Sequence, residues 1–325
     1  MKIPRDGRAR GRAQAVPEPS TRDNGGSALP EIVVVLNRHS RRTVHELGHL
    51  HDLFRAHGLR IAAFHVVANS KELRRHVKRA AKAGAKIVVA GGGDGSMAHA
   101  VDVLAHTGTT LGVLPLGTGN SFALSLGIDT HDLTQAVATI AAGHTERIDL
   151  GCVNGTYFAN FATIGLSSEI AGATPTGVKG WAGPVAYAIA AIRPIFAHRA
   201  FRARIRWKGG KLDVRTQDVI IANGRYFGST PVAPEANIID GRLALFTTDD
   251  PSRLGALRTY LAIGLHAHAK LPDAHVVNAR AFDVRTRKRQ MISVDGSLLE
   301  KTPARFSVAP RALRVFVPET GVAHG

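Results

Sequence analysis

Two glycine-rich stretches carry the side chains most able to do chemistry. Gly91-Gly92-Gly93-Asp94-Gly95-Ser96 follows the apolar run Lys86–Ala90 and leads into a helical pattern over Met97–Ala105. Glycines let the chain turn sharply and let a ligand come close to the backbone. A helix starting there points its free N–H groups into the turn, an arrangement that favours phosphate. Asp94 is electrostatically misplaced in such a turn unless a divalent cation or a substrate hydroxyl shares the site. The plainer reading of the glycines is a tight βα turn with no ligand. The second stretch, Leu116-Gly117-Thr118-Gly119-Asn120, follows the apolar run Leu111–Pro115. Neither stretch is a Walker loop. Gly93-Asp94-Gly95-Ser96-Met97-Ala98 fits only the looser dinucleotide pattern ending in Ala, with no acidic residue about 20 positions on to hold a ribose.

These loops need a scaffold, and the flanking sequence supplies one. Glu31–Asn37, Ile61–Val67, Lys86–Ala90 and Leu111–Pro115 read as buried strands. Helical patterns over Val44–Ala56, Ser70–Ala83 and Met97–Ala105 separate them, the first two ended by Gly58 and Gly84. Alternation of strand and helix predicts an open, mostly parallel α/β sheet, with ligands at the carboxyl ends of the strands. After about Ile148 the pattern turns to strands: Asp149–Val153, Thr156–Ile164, Phe201–Trp207, Asp213–Ala222, Leu243–Thr248, His275–Asp283, Gln290–Val294 and Leu313–Val317. Helical stretches at Gly183–Phe196 and Leu254–Ala267 interrupt them, and a β-sandwich is the expected second domain. In Phe201–Lys208 the alternation is strict. Arg202, Arg204, Arg206 and Lys208 share one face, either a solvated surface or a cationic rail for phosphate or lipid headgroups.

The chain has 325 residues, 44% hydrophobic and 21% charged, which excludes collagen, wholesale disorder and a disulfide miniprotein. Lys and Arg number 42 against 25 acids, a formal charge of +17 that calls for an anionic partner. Cys152 is the only cysteine, so no intrachain disulfide forms and a reducing compartment is expected. The apolar run Ala182–Ile192 is too short to span a bilayer, which needs about 20 residues. No apolar stretch follows the basic N-terminus, so a secretory signal is not expected. Residues 1–29, with Lys2, Arg5, Arg8, Arg10, Arg12 and Arg22, read as a disordered tail or as a polybasic arm. His45-Glu46-Leu47-Gly48-His49 satisfies HExxH, but the sequence marks no third zinc ligand, and a polar helix face is the preferred reading.

Taken in order, the motifs resemble those of the diacylglycerol kinase catalytic superfamily, which includes bacterial lipid kinases and sphingosine kinases. Gly92–Ser96 is similar to its GGDGT signature, and Pro115–Ala123 to its PxGTxNDFA segment. Asn223–Gly228, Pro234 and Ile239-Asp240-Gly241-Arg242-Leu243 resemble NGxxxGG…P…DDGxL. Val294-Asp295-Gly296 with Thr302-Pro303 resembles the VDGE…TP segment, and Lys179–Tyr187 the KG…Y region more loosely.

The resemblance implies an α/β nucleotide-binding domain followed by a β-sandwich, with the active site in the cleft between them. Its expected boundaries are a tail at 1–29, the catalytic domain at 30–147, the lipid-substrate domain at 148–318 and a tail at 319–325. Whether the last strand returns to the first domain is left open. It also implies transfer of the ATP γ-phosphate, with Mg²⁺, to the hydroxyl of diacylglycerol or a similar long-chain alcohol. Asn37, Gly92, Gly93, Asp94, Gly95, Ser96, Thr118 and Asn120 would contact the nucleotide. Asp295 would lie by the acceptor hydroxyl, with Asp94 the other candidate base. Asp240, with oxygens of Asn237 and Arg242, would hold a structural Mg²⁺, against the plainer reading of a β-turn. The expected setting is cytoplasmic and peripheral to an anionic membrane surface, without nucleic acid and with a homodimer left open.

Departures from the pattern keep a second function in view. Asn37-Arg38-His39-Ser40-Arg41 lacks the Pro and Gly of NPxSG, Met97-Ala98-His99 stands where LNE is common, Ser121 replaces the Asp of PxGTxND, and Ile239 precedes the single Asp of DDG. Ser297 stands in place of the Glu of DGE, and a hydroxyl has no useful basicity at neutral pH. The alternatives are a catalytically weak lipid- or nucleotide-binding protein and an NAD kinase, which also uses a GGDGT turn.

Overall fold

The computed structural model describes residues 31–40, 43–173, 198–264 and 267–322. The first tail, Lys179–Tyr187 and the expected helix Gly183–Phe196 lie outside them. The chain opens with β1 (Glu31–Asn37), α1 (Thr43–Ala56), β2 (Arg60–Val67), α2 (Ser70–Lys82), β3 (Ile87–Gly92), α3 (Asp94–Leu104) and β4 (Thr110–Pro115). β1 lies between β2 and β3, β4 flanks β3, and all these pairings are parallel. The chain therefore reverses direction across the sheet between β1 and β3, which opens a crevice at their carboxyl ends. Asn37, Gly92 and Pro115 end the strands that border it. Two helices follow that periodicity alone did not yield: α4 (Ser121–Ser125) and α5 (Leu133–Ala142). Asp132 caps α5 by accepting from the amides of Thr134 and Gln135, and Gly143 closes it at φ +76°.

The second half begins with β5 (Thr145–Val153), β6 (Thr156–Phe158), β7 (Phe161–Gly165) and α6 (Leu166–Ala173). It continues through β8 (Phe201–Trp207), β9 (Gly210–Thr216), β10 (Asp218–Ala222), the small ribbon β11 (Tyr226–Phe227) with β12 (Thr230–Pro231), and β13 (Leu243–Thr248). After α7 (Arg253–Gly264) and a 3-10 turn at His268–Lys270 come β14 (Ala274–Ala279), β15 (Ala281–Thr286), β16 (Met291–Val294), β17 (Ser297–Lys301) and β18 (Ala304–Phe316). Strands β14-β13-β10-β7-β16-β17 form one antiparallel sheet. The facing layer is the continuation of the first sheet: beyond β4 run β18, β15, β8 and β9, with β5 and β6 attached through β18. Ala203, Ile205, Phe282, Val284 and Phe306 from this layer pack against Ile164, Val219, Ile221 and Leu245 from the other. That is the expected sandwich.

Three strands expected as continuous are broken, each for a visible reason. Thr156–Ile164 splits at Ala159-Asn160, whose amides, with that of Phe161, turn to the Asp295 carboxylate instead of a ladder. Asp213–Ala222 splits at Gln217, and His275–Asp283 splits at Arg280, because each run passes from one sheet to the other. The last strand is far longer than Leu313–Val317. Along one edge β18 pairs with β5 over most of its length, and the other edge pairs first with β15 and then, at Arg314 and Val315, with β4. A bulge between Ala309 and Leu313 allows this, with Arg311 at φ +50° and its amide held by Asp149 at 2.7 Å.

Candidate active site

The glycine turn begins where β3 ends. Gly93 is the N-cap of α3 and Asp94 its first residue, so this helix starts three residues earlier than the periodicity suggested. The loop after β4 packs directly on the turn. A Cβ on Gly117 would sit 2.3 Å from Gly93 Cα, and one on Gly119 would sit 2.6 Å from Asp94 Oδ2 and 2.9 Å from Gly228 Cα. Glycine is therefore required at both positions by contact between backbones. Gly228 lies in the turn between β11 and β12 of the second half, so turns from both halves meet at Asp94.

Asp94 caps α4: its Oδ1 accepts from the Ser121 amide at 2.7 Å. Burial pushes its carboxyl above the usual range, and the hydrogen bonds from Ser121, Asn120 and Phe122 only partly counter this. Asp295 belongs to the second half. It sits with Gly296 in the two-residue turn between β16 and β17, both at positive φ. Its Oδ2 accepts from Ala159 N at 2.9 Å, and its Oδ1 from Asn160 N at 3.1 Å and Phe161 N at 2.9 Å. Burial nevertheless raises its pKa to about 6, and the negative charge of Asp94 adds to the rise. The two candidate bases are thus neighbours.

The other expected nucleotide residues differ in what they are free to do. Asn37 is buried; its Nδ2 donates to Ser96 Oγ at 3.0 Å and Ser70 Oγ at 3.3 Å, and its Oδ1 accepts from His39 N. It ties the end of β1 to the starts of α2 and α3, with Ser96 buried in the same cluster. Asn120, at φ +53°, closes its loop on Gly117, accepting from its amide and donating to its carbonyl. Gly95 and Thr118 are exposed at the loop tips, while Gly92 is buried against Ser96. So Asn37, Ser96 and Asn120 shape the cradle with their side chains, and the exposed tips face solvent.

The loop expected to hold a structural Mg²⁺ is a turn whose side-chain oxygens meet amides. Asp240 Oδ1 accepts from Arg242 N at 2.9 Å, and Asn237 Oδ1 from Ile239 N at 3.1 Å. Both oxygens of nearby Asp149 are engaged, by Gly241 N at 2.6 Å and Arg311 N at 2.7 Å. Burial and then the Asp149 charge raise Asp240 above its usual range. Among the described residues no three His, Cys, Asp or Glu side chains gather as a metal set, and His49 of the HExxH stretch is exposed on α1.

Two residues beside the site had no role in the motif reading. Asn160 and Asn223 each bury a side-chain oxygen that has no partner. Asn223 Nδ2 donates to Asp149 O at 3.1 Å and Ala159 O at 2.9 Å, and Asn160 adjoins Asp295 through its amide. Asn223 stood in the NGxxxGG match without a role. The usable signal for Asn160 was a lone amide inside an otherwise apolar run.

Known proteins share this architecture. The diacylglycerol kinase catalytic domain model matches residues 31–153, and the YegS C-terminal NAD kinase beta sandwich-like domain model matches 163–317. A Pseudomonas aeruginosa protein named "Probable lipid kinase YegS-like" is 35% identical over 271 residues, 79% of this chain and 84% of its own. A Staphylococcus saprophyticus protein named diacylglycerol kinase is 27% identical over 237 residues, 71% of this chain and 77% of its own. The crystal structure of a diacylglycerol kinase from Bacillus anthracis superposes with a TM-score of 0.70 at 18% identity, covering 91% of this chain and all of that one, a likeness of fold. With the glycine turn, the paired loop and the sandwich in place, the chain belongs to the diacylglycerol kinase catalytic-domain family of lipid kinases.

Proposed function

We propose that the protein transfers the γ-phosphate of ATP to the hydroxyl of diacylglycerol or a similar long-chain lipid alcohol, on the cytoplasmic side of a membrane. The observation that carries the reading is the meeting of Asp94, in the anion turn of the first half, with Asp295 of the second. A nucleotide phosphate at the start of α3 and a hydroxyl delivered over the sandwich would both reach this point. The base is Asp94. Burial holds its carboxyl above the usual range, and Gly119 packs closely against it, bringing Gly228 of the second half to the same point. Asp295 already accepts hydrogen bonds from three amides, which suits a positioning role: it holds the break between β6 and β7, and so Asn160, in place. The negative charge of Asp94 raises Asp295, and Mg²⁺ bound beside this pair would supply charge neutralisation at the phosphates.

A radiolabelled ATP transfer screen over a lipid panel, with NAD as one acceptor, tests this. Label should pass to a long-chain alcohol, Asp94→Asn should abolish transfer while leaving the fold intact, and Asp295→Asn should lower kcat by about 10²–10⁴-fold. Transfer to NAD alone, or wild-type rates from Asp94→Asn, would refute the assignment. A second reading rests on Ser297, exposed at the start of β17. If the natural chain binds ATP without transferring it and Ser297→Glu gains activity, the protein is a binding member of the fold.

A further inference from the structure

The outer face of the shared sheet is a cationic plane, and its register shows how it is built. In the sandwich Ala203, Ile205, Val214, Phe282 and Val284 point into the core, so the alternate residues of β8, β9 and β15 point to solvent. Three rows cross the strands. Arg202 opposes Arg215, and the amide of Arg287 bonds to the Arg202 carbonyl. Arg204 stands between Asp213 and Arg285. Arg206 stands between Lys211 and Asp283, with Arg305 of β18 beyond. Only two acids occupy these rows, and the ion pairs they form among the described residues take up Arg202, Arg204 and Arg305. Arg206 and Lys211, Arg202 and Arg215, and Arg204 and Arg285 are like charges placed directly opposite one another, an arrangement that costs sheet stability. The fold gains nothing from these pairs. A polyanion lying on the face would.

We propose that this face is the surface by which the protein docks on an anionic lipid bilayer, an inference that rests on the lipid-kinase reading of the active site. The face offers arginines without exposed aromatic side chains, whereas single-stranded nucleic acid is held by aromatic stacking platforms and duplex DNA is read by a helix or ribbon in a groove. Lys208 in the β8–β9 turn and Lys288 and Arg289 after β15 are exposed at its margin and extend the positive field. The other conspicuous patch, Leu254, Leu257 and Leu261 on α7, is 76%, 45% and 60% exposed. It lies across the sandwich, because α7 covers the opposite sheet through Ile263 against Ile220 and Phe246. Arg258 beside it is taken up by Asp250 and Asp273, so it is not free to meet anionic lipid. One bilayer cannot lie flat on both, and charge favours the sheet.

The full chain should sediment with vesicles of phosphatidylcholine plus phosphatidylglycerol and not with phosphatidylcholine alone, with binding falling steeply as salt rises. The triple variant Arg206→Gln, Lys211→Gln, Arg285→Gln should bind anionic vesicles at least tenfold more weakly. Its melting temperature should hold or rise, since like-charge pairs are removed. A control that loses the same charge from α2, Lys78→Gln, Arg79→Gln, Lys82→Gln, should bind as the wild type does. Phosphoryl transfer in neutral detergent micelles should be equal in all three proteins, with the sheet variant falling behind only on anionic vesicles. Equal loss in the control, salt-insensitive binding to neutral vesicles, or displacement from anionic vesicles by duplex DNA at lower concentration would each overturn the proposal. Absence of transfer on every substrate would sink the kinase reading and leave the vesicle result to stand by itself.

Discussion

Three buried aspartates show how one side chain serves different ends. Asp94 and Asp295 lie in the site, while Asp218 lies at the far end of β10, opposite Gly165 at the end of β7. Tyr260 donates to Asp218 at 2.8 Å, the Ser167 amide donates at 3.1 Å, and the Ser167 hydroxyl makes a further short contact. The other carboxylate oxygen is buried without a partner. Burial outweighs these donors and raises the pKa of Asp218 to about 6, well above an unfolded value of about 3.9. The folded state therefore binds more protons than the unfolded state between these two values. The stability contributed by this group is fully present below about pH 4 and is lost as pH rises to about 6, at most about 3 kcal/mol. Asp218→Asn should cancel that term. Measured by denaturant melts from pH 4 to pH 7, the variant should gain on the wild type up to about pH 6 and then run parallel. A difference that is flat with pH would show that Asp218 is ionised throughout.

At the scale of elements, the site is a contact between two loops that neither strand specifies alone. β3 and β4 are parallel neighbours, so their carboxyl ends deliver Gly93 and Gly117 side by side. Asn120 then folds the second loop back on Gly117, and Asp94 reaches across to start α4. Gly117→Ala would place a methyl group into the Gly93 backbone, where no side chain can swing aside. We expect it to cost about 1–3 kcal/mol in denaturant melts. Calorimetry should also show ATP affinity at least tenfold lower, since the cradle must open. Wild-type ATP binding by this variant would mean that the two loops do not form the nucleotide site together.

Across the whole molecule, β18 is the seam. Its final residues Leu313, Val315 and Phe316, with Val317 just beyond, belong to the core of the first half, while Ala304 and Phe306 belong to the sandwich core. Asp149 fixes the bulge between them by holding Arg311 and, with its other oxygen, the turn at Gly241. Residues 30–147 expressed alone would expose the free edge of β4 and strip those apolar residues from the core. Circular dichroism and thermal melting should show no cooperative transition for that fragment, whereas 30–318 should melt cooperatively. A well-folded 30–147 would argue that β18 is an addition to a complete domain.

The sequence by itself determined the parts governed by local rules. Apolar runs alternating with helical patterns marked the parallel strands, and the run ending in glycine marked the turn at Gly91–Ser96, because a buried strand and a helix start leave marks within a few residues. The family order of motifs also lay in plain sight, and it named Asp94 and Asp295. Tertiary structure decided what those residues do. That Asp295 spends both oxygens on the amides of Ala159, Asn160 and Phe161 depends on a contact more than 130 positions away in the chain. No periodicity records such a contact. The same holds for the broken strands. Asp213–Ala222 and His275–Asp283 each read as one strand, since both sheets bury residues on the core side and a change of sheet leaves the alternation nearly intact. The cationic plane shows both levels at once: alternation in Phe201–Lys208 put the arginines on one face, but only the register with β9 and β15 set like charges opposite one another.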